Sequence, residues 1–92
     1  MARRASVIEA IRRARATGAD SHAVEIKSGA GGAPKTLPET ISAFANGDGG
    51  LIVLGVDERR GFAVVPVNAA GLADALATAC ATLVEPPVRA EI

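Results

Sequence analysis

Apolar residues along this chain fall into three kinds of pattern, and each predicts a different element. Val7, Ile8, Ile11 and Ala14 recur at helical spacing, so residues 4–16 read as an amphipathic helix that Gly18 ends. In "HAVEIKS" the period changes to two: Val24 and Ile26 point one way, Glu25 and Lys27 the other, as in a short half-buried strand. Helical spacing returns in Leu37, Ile41, Phe44 and Ala45, a buried stripe for a helix over residues 37–46. Thr36 and Glu39 stand at capping-box spacing there, and Pro38 suits a first turn. Asn46 and Gly47 both tolerate left-handed backbone angles and form a natural helix stop.

The third pattern is a continuous apolar run. Residues 50–57, "GLIVLGVD", predict a central strand buried on both faces. "ERRG", with Gly61 supplying a positive φ, turns it back into "FAVVPV" as an antiparallel partner. Asn68 caps a last helix over residues 69–84 that carries Leu72, Leu76, Ala79, Cys80 and Leu83 on one side. Pro86 and Pro87 end it, and residues 88–92 begin a further strand. The order α-β-α-β-β-α-β predicts an α+β fold: one small domain, a mixed sheet, helices packed mainly on one face. A chain that stops as a strand begins reads as the N-terminal piece of a longer protein.

Composition narrows the function classes. With 92 residues there is room for one modest core, and with two aromatic residues, Phe44 and Phe62, that core is built from Val, Ile, Leu and Ala. Cys80 is the one cysteine, so an intramolecular disulfide and a Cys-rich zinc site are both excluded. It falls on an alanine-rich helix as a small core residue. There is no secretory signal and no run of about 18 apolar residues to span a membrane, which predicts a cytoplasmic protein. Formal charge is zero but unevenly placed: residues 1–47 hold seven Lys/Arg against four acids, residues 48–92 three against six. That asymmetry allows one basic face.

The stretch "GAGGAPKT", residues 29–36, is one residue away from the phosphate-binding loop G-x-x-x-x-G-K-[ST], because Pro34 stands where the last glycine belongs. The loop works by aiming successive backbone N–H groups at phosphate, and proline has none. Such hydrolases also need a multi-stranded parallel sheet, which this pattern does not supply. An ATPase is therefore set aside, while Lys35 and the remaining amides stay available to an anion. "NGDGG" follows the negative end of a helix and is explained as a turn. His22 has no second His or Cys to make a zinc site, and Ser21, Ser28 and Thr36 lack a His–acid constellation for nucleophilic catalysis.

Taken together, "VEIK" at residues 24–27 and "LPETISAFANGDGGLIVLGVDE" at residues 37–58 resemble the Schlafen-type, Alba-like domain. Its pattern is E-F-K, a variable loop, an L-[PK]-x-x-[IV]-x-A-F-A-N helix, two glycines, and an apolar strand closing in G-V-D-[DE]. The resemblance implies nucleic-acid binding, DNA or RNA, by the N-terminal module of a bacterial transcriptional regulator. Such domains are also filed as divergent AAA-like ATP-binding modules. The basic positions assigned to nucleic acid are Arg12, Arg13, Lys27 and Lys35.

A related domain of animal Schlafen proteins cleaves RNA with three acids. By that resemblance the catalytic positions are Asp20, Glu25 and Asp57 (or its neighbour Glu58), with Glu25 and Asp57 as ligands for Mg²⁺ or Mn²⁺ and Lys27 beside them stabilising developing charge. Carboxylate oxygens suit both ions, and an ion held there would activate water. Two departures weaken this reading. Asp20 is one methylene shorter than the family's glutamate, which bears on the metal site, and Ile26 replaces a phenylalanine in the core. Three readings follow in order: a nucleic-acid-binding module, a metal-dependent ribonuclease, and a nucleotide-binding or homodimerising module.

Overall fold

The computed structural model describes residues 4–18 and 23–92. Helix α1 is Arg4–Thr17, strand β1 Val24–Lys27, helix α2 Leu37–Asn46, strand β2 Leu51–Leu54, strand β3 Val56–Asp57, strand β4 Ala63–Val64 and helix α3 Ala69–Thr78. A 3₁₀ turn, Glu58–Arg60, joins β3 to β4, and α3 runs on as a π-helical turn, Ala79–Leu83. The predicted α+β class holds, and both strand polarities are present. They form two short ladders instead of one sheet: β1 runs parallel to β2, with Val24 opposite Leu51, and β3 runs antiparallel to β4, with Val56 opposite Val64.

Gly55 is the joint between the ladders. The run predicted as one strand breaks there, at φ 106°, a conformation that a side chain rarely adopts. Its N–H still donates to Lys27 O at 3.0 Å, and its carbonyl accepts from Val65 N at 2.9 Å. The break also resets which way side chains point. Val53 and Val56, an odd and an even position, both enter the same core cluster.

Two clusters lie on opposite sides of the strands. Ala14, Ile26, Val53, Val56 and Phe62 form the first, with Val7, Ile11, Val24 and Leu51 packed around them. Leu37, Ile41, Ala79, Cys80 and Val84 form the second, joined by Ile52, Leu76 and Val88. Helices α2 and α3 thus share one face, as predicted, and α1 covers the other. Ala14, at 1% exposure, is small enough for α1 to lie close to the strands.

Five local expectations are corrected. Ala45, expected on the buried stripe of α2, is exposed in the last turn of that helix. Ile8 is 48% exposed, because one helical step turns it away from the stripe of Val7, Ile11 and Ala14. Thr36 takes helical angles, φ −82° and ψ −1°, so its side chain makes no cap, and Pro34 O instead accepts from Leu37 N. The positive φ after α2 falls on Gly49, not on Asn46 or Gly47, and Gly49 N closes onto Phe44 O. At the end of α3, the wider π turn carries Leu83 out to 61% exposure and brings Val84 in.

The predicted last strand is absent: residues 88–92 join no ladder. Val88 N donates to Cys80 O, and the segment lines an apolar groove of about 890 Å³ with Ile41, Phe44, Leu72 and Leu76.

Candidate nucleic-acid interface

Strand β1 sets the direction of two of the singled-out residues. Val24 and Ile26 pack toward α1, so Glu25 and Lys27 leave the strand on the other side. There they pair with each other, Lys27 Nζ to Glu25 Oε1 at 3.3 Å, with side chains 46% and 31% exposed. A pair this open stabilises the fold by under ~1 kcal/mol.

Asp57 follows Val56, which faces α1, so its side chain too turns away from that helix. It then serves its own turn: Oδ1 accepts from Arg59 N at 3.0 Å, and Oδ2 lies 3.6 Å from Arg60 Nε. Asp57 is thereby the cap of the 3₁₀ turn, a role that its place at a strand end hides in the sequence. Glu58 is exposed on that turn. Asp20, with Ser21 and His22, lies outside the described residues. Among the described residues no group of three or more His, Cys, Asp or Glu is placed to hold an ion.

The glycine loop spends several of its groups on itself. Gly32 N donates to Gly29 O at 3.1 Å, and Ala30 N makes a long 3.5 Å contact to Ser28 Oγ. Gly29 is the one glycine of the loop under close packing: a Cβ there would meet Leu72 Cδ1 at 3.2 Å, and its φ is +65°. A cleft of about 230 Å³ separates the loop from the start of α3, where Asn68 Oδ1 accepts from Gly71 N at 3.0 Å. Lys35 stands exposed at the far end of the loop, two residues before α2, with no partner among the described residues.

Arg12 and Arg13 project from the outer side of α1, 73% and 75% exposed, and both reach Glu9, at 3.5 and 3.3 Å. The four predicted cations thus divide into pairs. Lys27 and Lys35 belong to the side of β1 and α2, and Arg12 and Arg13 to α1 on the opposite side of the strands. Sequence reasoning missed Arg15, Arg59 and Arg60. The guanidinium of Arg15 donates twice to Phe62 O, from Nε at 3.1 Å and Nη2 at 3.0 Å. Arg59 and Arg60 sit on the turn that Phe62 closes. The signal for them was two adjacent arginines in a tight turn before a glycine.

A family model described as Schlafen, AlbA_2 matches residues 20–92, most of the chain, including β1, the glycine loop and all that follows. The chain belongs to this family, whose domains are nucleic-acid-related. No curated protein and no solved structure matches it.

Proposed function

We propose that this Schlafen, AlbA_2 domain binds nucleic acid through the phosphate backbone and serves as the binding module of a bacterial transcriptional regulator. The carrying observation is Lys35: an exposed cation without a partner among the described residues, held between a glycine loop and the N-terminal end of α2. Lys27, Arg12 and Arg13 add cations whose partners are open ion pairs that phosphate would replace at little cost. Because each neutralised phosphate releases counterions, affinity falls steeply with salt. The test is a titration of labelled duplex and hairpin RNA at two salt concentrations, with the Lys27→Gln/Lys35→Gln double variant beside the parent chain. Binding at low salt that weakens in the variant supports the reading. A folded chain that binds neither probe at low salt ends it.

A second reading, metal-dependent cleavage of RNA, draws on Glu25 and Asp57 leaving their strands on the same side. Against it, both carboxylates are already engaged, Asp57 by a backbone N–H and an arginine, Glu25 by Lys27. If an ion is held, Glu25 and Asp57 would hold it, and its chemistry would be activation of water. Cleavage of RNA with Mn²⁺ that Glu25→Gln abolishes would put this reading first. The binder is preferred.

A further inference from the structure

Arg15 ties the β3–β4 turn to α1, and that tie builds a cationic surface from parts that are 47 residues apart in the chain. Phe62 has φ 61° and is 3% exposed, and Gly61 before it has φ 64°. Two successive left-handed residues, one of them a buried aromatic, persist only where the surroundings hold them. The holding groups are all present. Asp57 Oδ1 takes Arg59 N, Glu58 O takes Gly61 N at 3.2 Å, Asp57 O takes Phe62 N at 2.9 Å, and Arg15 takes the carbonyl of Phe62.

Arg59 and Arg60 therefore project from a turn fixed at both ends and locked to the helix. The guanidinium of Arg59 has no partner among the described residues, and that of Arg60 is 74% exposed with one long contact to Asp57. On α1, Arg12 lies three residues from Arg15 and so neighbours it on the helix surface. Arg13, Arg12 and Arg15 of α1 are thereby joined to the turn that carries Arg59 and Arg60. Residues 9–15 and 57–60 hold five arginines against three carboxylates, Glu9, Asp57 and Glu58.

We infer that this α1–turn surface contacts the phosphate backbone of a double-stranded nucleic acid, with Arg59 and Arg60 as phosphate-binding residues and Arg15 as the residue that positions them. The inference rests on the nucleic-acid reading above and adds to it the face and the class of ligand. A guanidinium fork matches phosphate with two parallel hydrogen bonds, and a turn held in advance loses little freedom on binding. A duplex fits better than a single strand, since no aromatic ring is offered for stacking: Phe62 is buried and Phe44 lies over Gly50, whose added Cβ would meet the ring at 2.6 Å.

The test uses the 92-residue chain with three labelled probes, a DNA duplex, an RNA duplex and a single-stranded oligonucleotide, each titrated at two salt concentrations. Arg59→Gln/Arg60→Gln should weaken duplex binding by roughly tenfold or more and reduce the log–log salt slope by about 1–2, one per lost phosphate contact. Arg15→Gln should weaken binding with the slope nearly kept, because the phosphate-binding side chains remain, and Arg15→Lys should restore part of the affinity. Which duplex binds tighter assigns DNA or RNA.

Unchanged affinity in Arg59→Gln/Arg60→Gln, with loss in Lys27→Gln/Lys35→Gln, overturns the inference and leaves the proposed function standing. A single strand bound more tightly than either duplex also overturns it. No binding of any probe by the parent chain overturns both.

Discussion

Two turns carry this chain's candidate chemistry, and they are built in opposite ways. The loop of residues 29–36 has three of the chain's ten glycines and few internal bonds, and apart from Gly29 its glycines meet nothing within 4 Å of an added Cβ. The turn of residues 57–62 has a single glycine, yet side chains and backbone hold it from three directions. The glycine-rich stretch catches the eye as a motif, but the plain stretch is the prepared one. A loose loop must lose conformational freedom to bind, whereas a held turn has lost it on folding. Lys35 and the Arg59–Arg60 pair are therefore different kinds of cation, one adaptable and one fixed.

The contrast breaks most readily at Phe62. Phe62→Ala empties a buried position of the α1 cluster and should cost about 3–5 kcal/mol in denaturant unfolding. That is a large share of the stability of a domain this size. A loss under ~1 kcal/mol would mean that the turn is not anchored in the core.

Arg15→Ala comes next. It removes two charge-assisted hydrogen bonds and leaves a left-handed carbonyl without its donor, for a cost of about 1.5–3 kcal/mol. Hydrogen exchange should speed up at Gly61 and Phe62 and stay unchanged at Leu37, whose N–H donates to Pro34 O of the other turn.

Within the glycine loop, two equal substitutions sharpen the comparison. Gly29→Ala meets Leu72 at 3.2 Å and forces a left-handed alanine, and should cost about 1–2 kcal/mol. Gly32→Ala meets nothing within 4 Å at φ +102°, so its cost is backbone strain alone, about 1–3 kcal/mol. Thermal melts in which Leu72→Ala relieves part of the Gly29→Ala loss and none of the Gly32→Ala loss are expected; a Gly29→Ala loss that Leu72→Ala leaves unchanged would show that the loop does not pack on α3.

Asp57→Ala deletes the cap of the 3₁₀ turn, for about 1 kcal/mol. Asp57→Asn, which keeps an acceptor for Arg59 N, should recover most of it.

The smallest effect is expected at Pro34. Pro34→Gly restores the glycine of a phosphate-binding loop, yet it should shift stability by less than ~1 kcal/mol and create no ATP turnover, measured as phosphate release. Gly32 N is already bonded to Gly29 O, and the parallel ladder has two strands. Turnover above background in the unmodified chain would reverse this account of the loop.

What the residues alone determined is whatever depends on near neighbours in the chain. The stripes of α1 and α2 apart from Ile8 and Ala45, the Asn68 cap, the Gly61 turn and the family pattern from Val24 to Glu58 were legible, because period and turn chemistry act over a few residues. Candidate residues were legible as types: exposed lysines and arginines, carboxylates at strand ends. Their grouping was not. The break at Gly55 reversed the facing of the next residues, the π turn exchanged Leu83 for Val84, and residues 88–92 lined a groove instead of forming a strand. Above all, the tertiary structure divided the four predicted cations between two sides and joined Arg15 to Phe62. A contact across 47 residues leaves no local pattern, since it depends on where two packed elements meet and not on the period of either one.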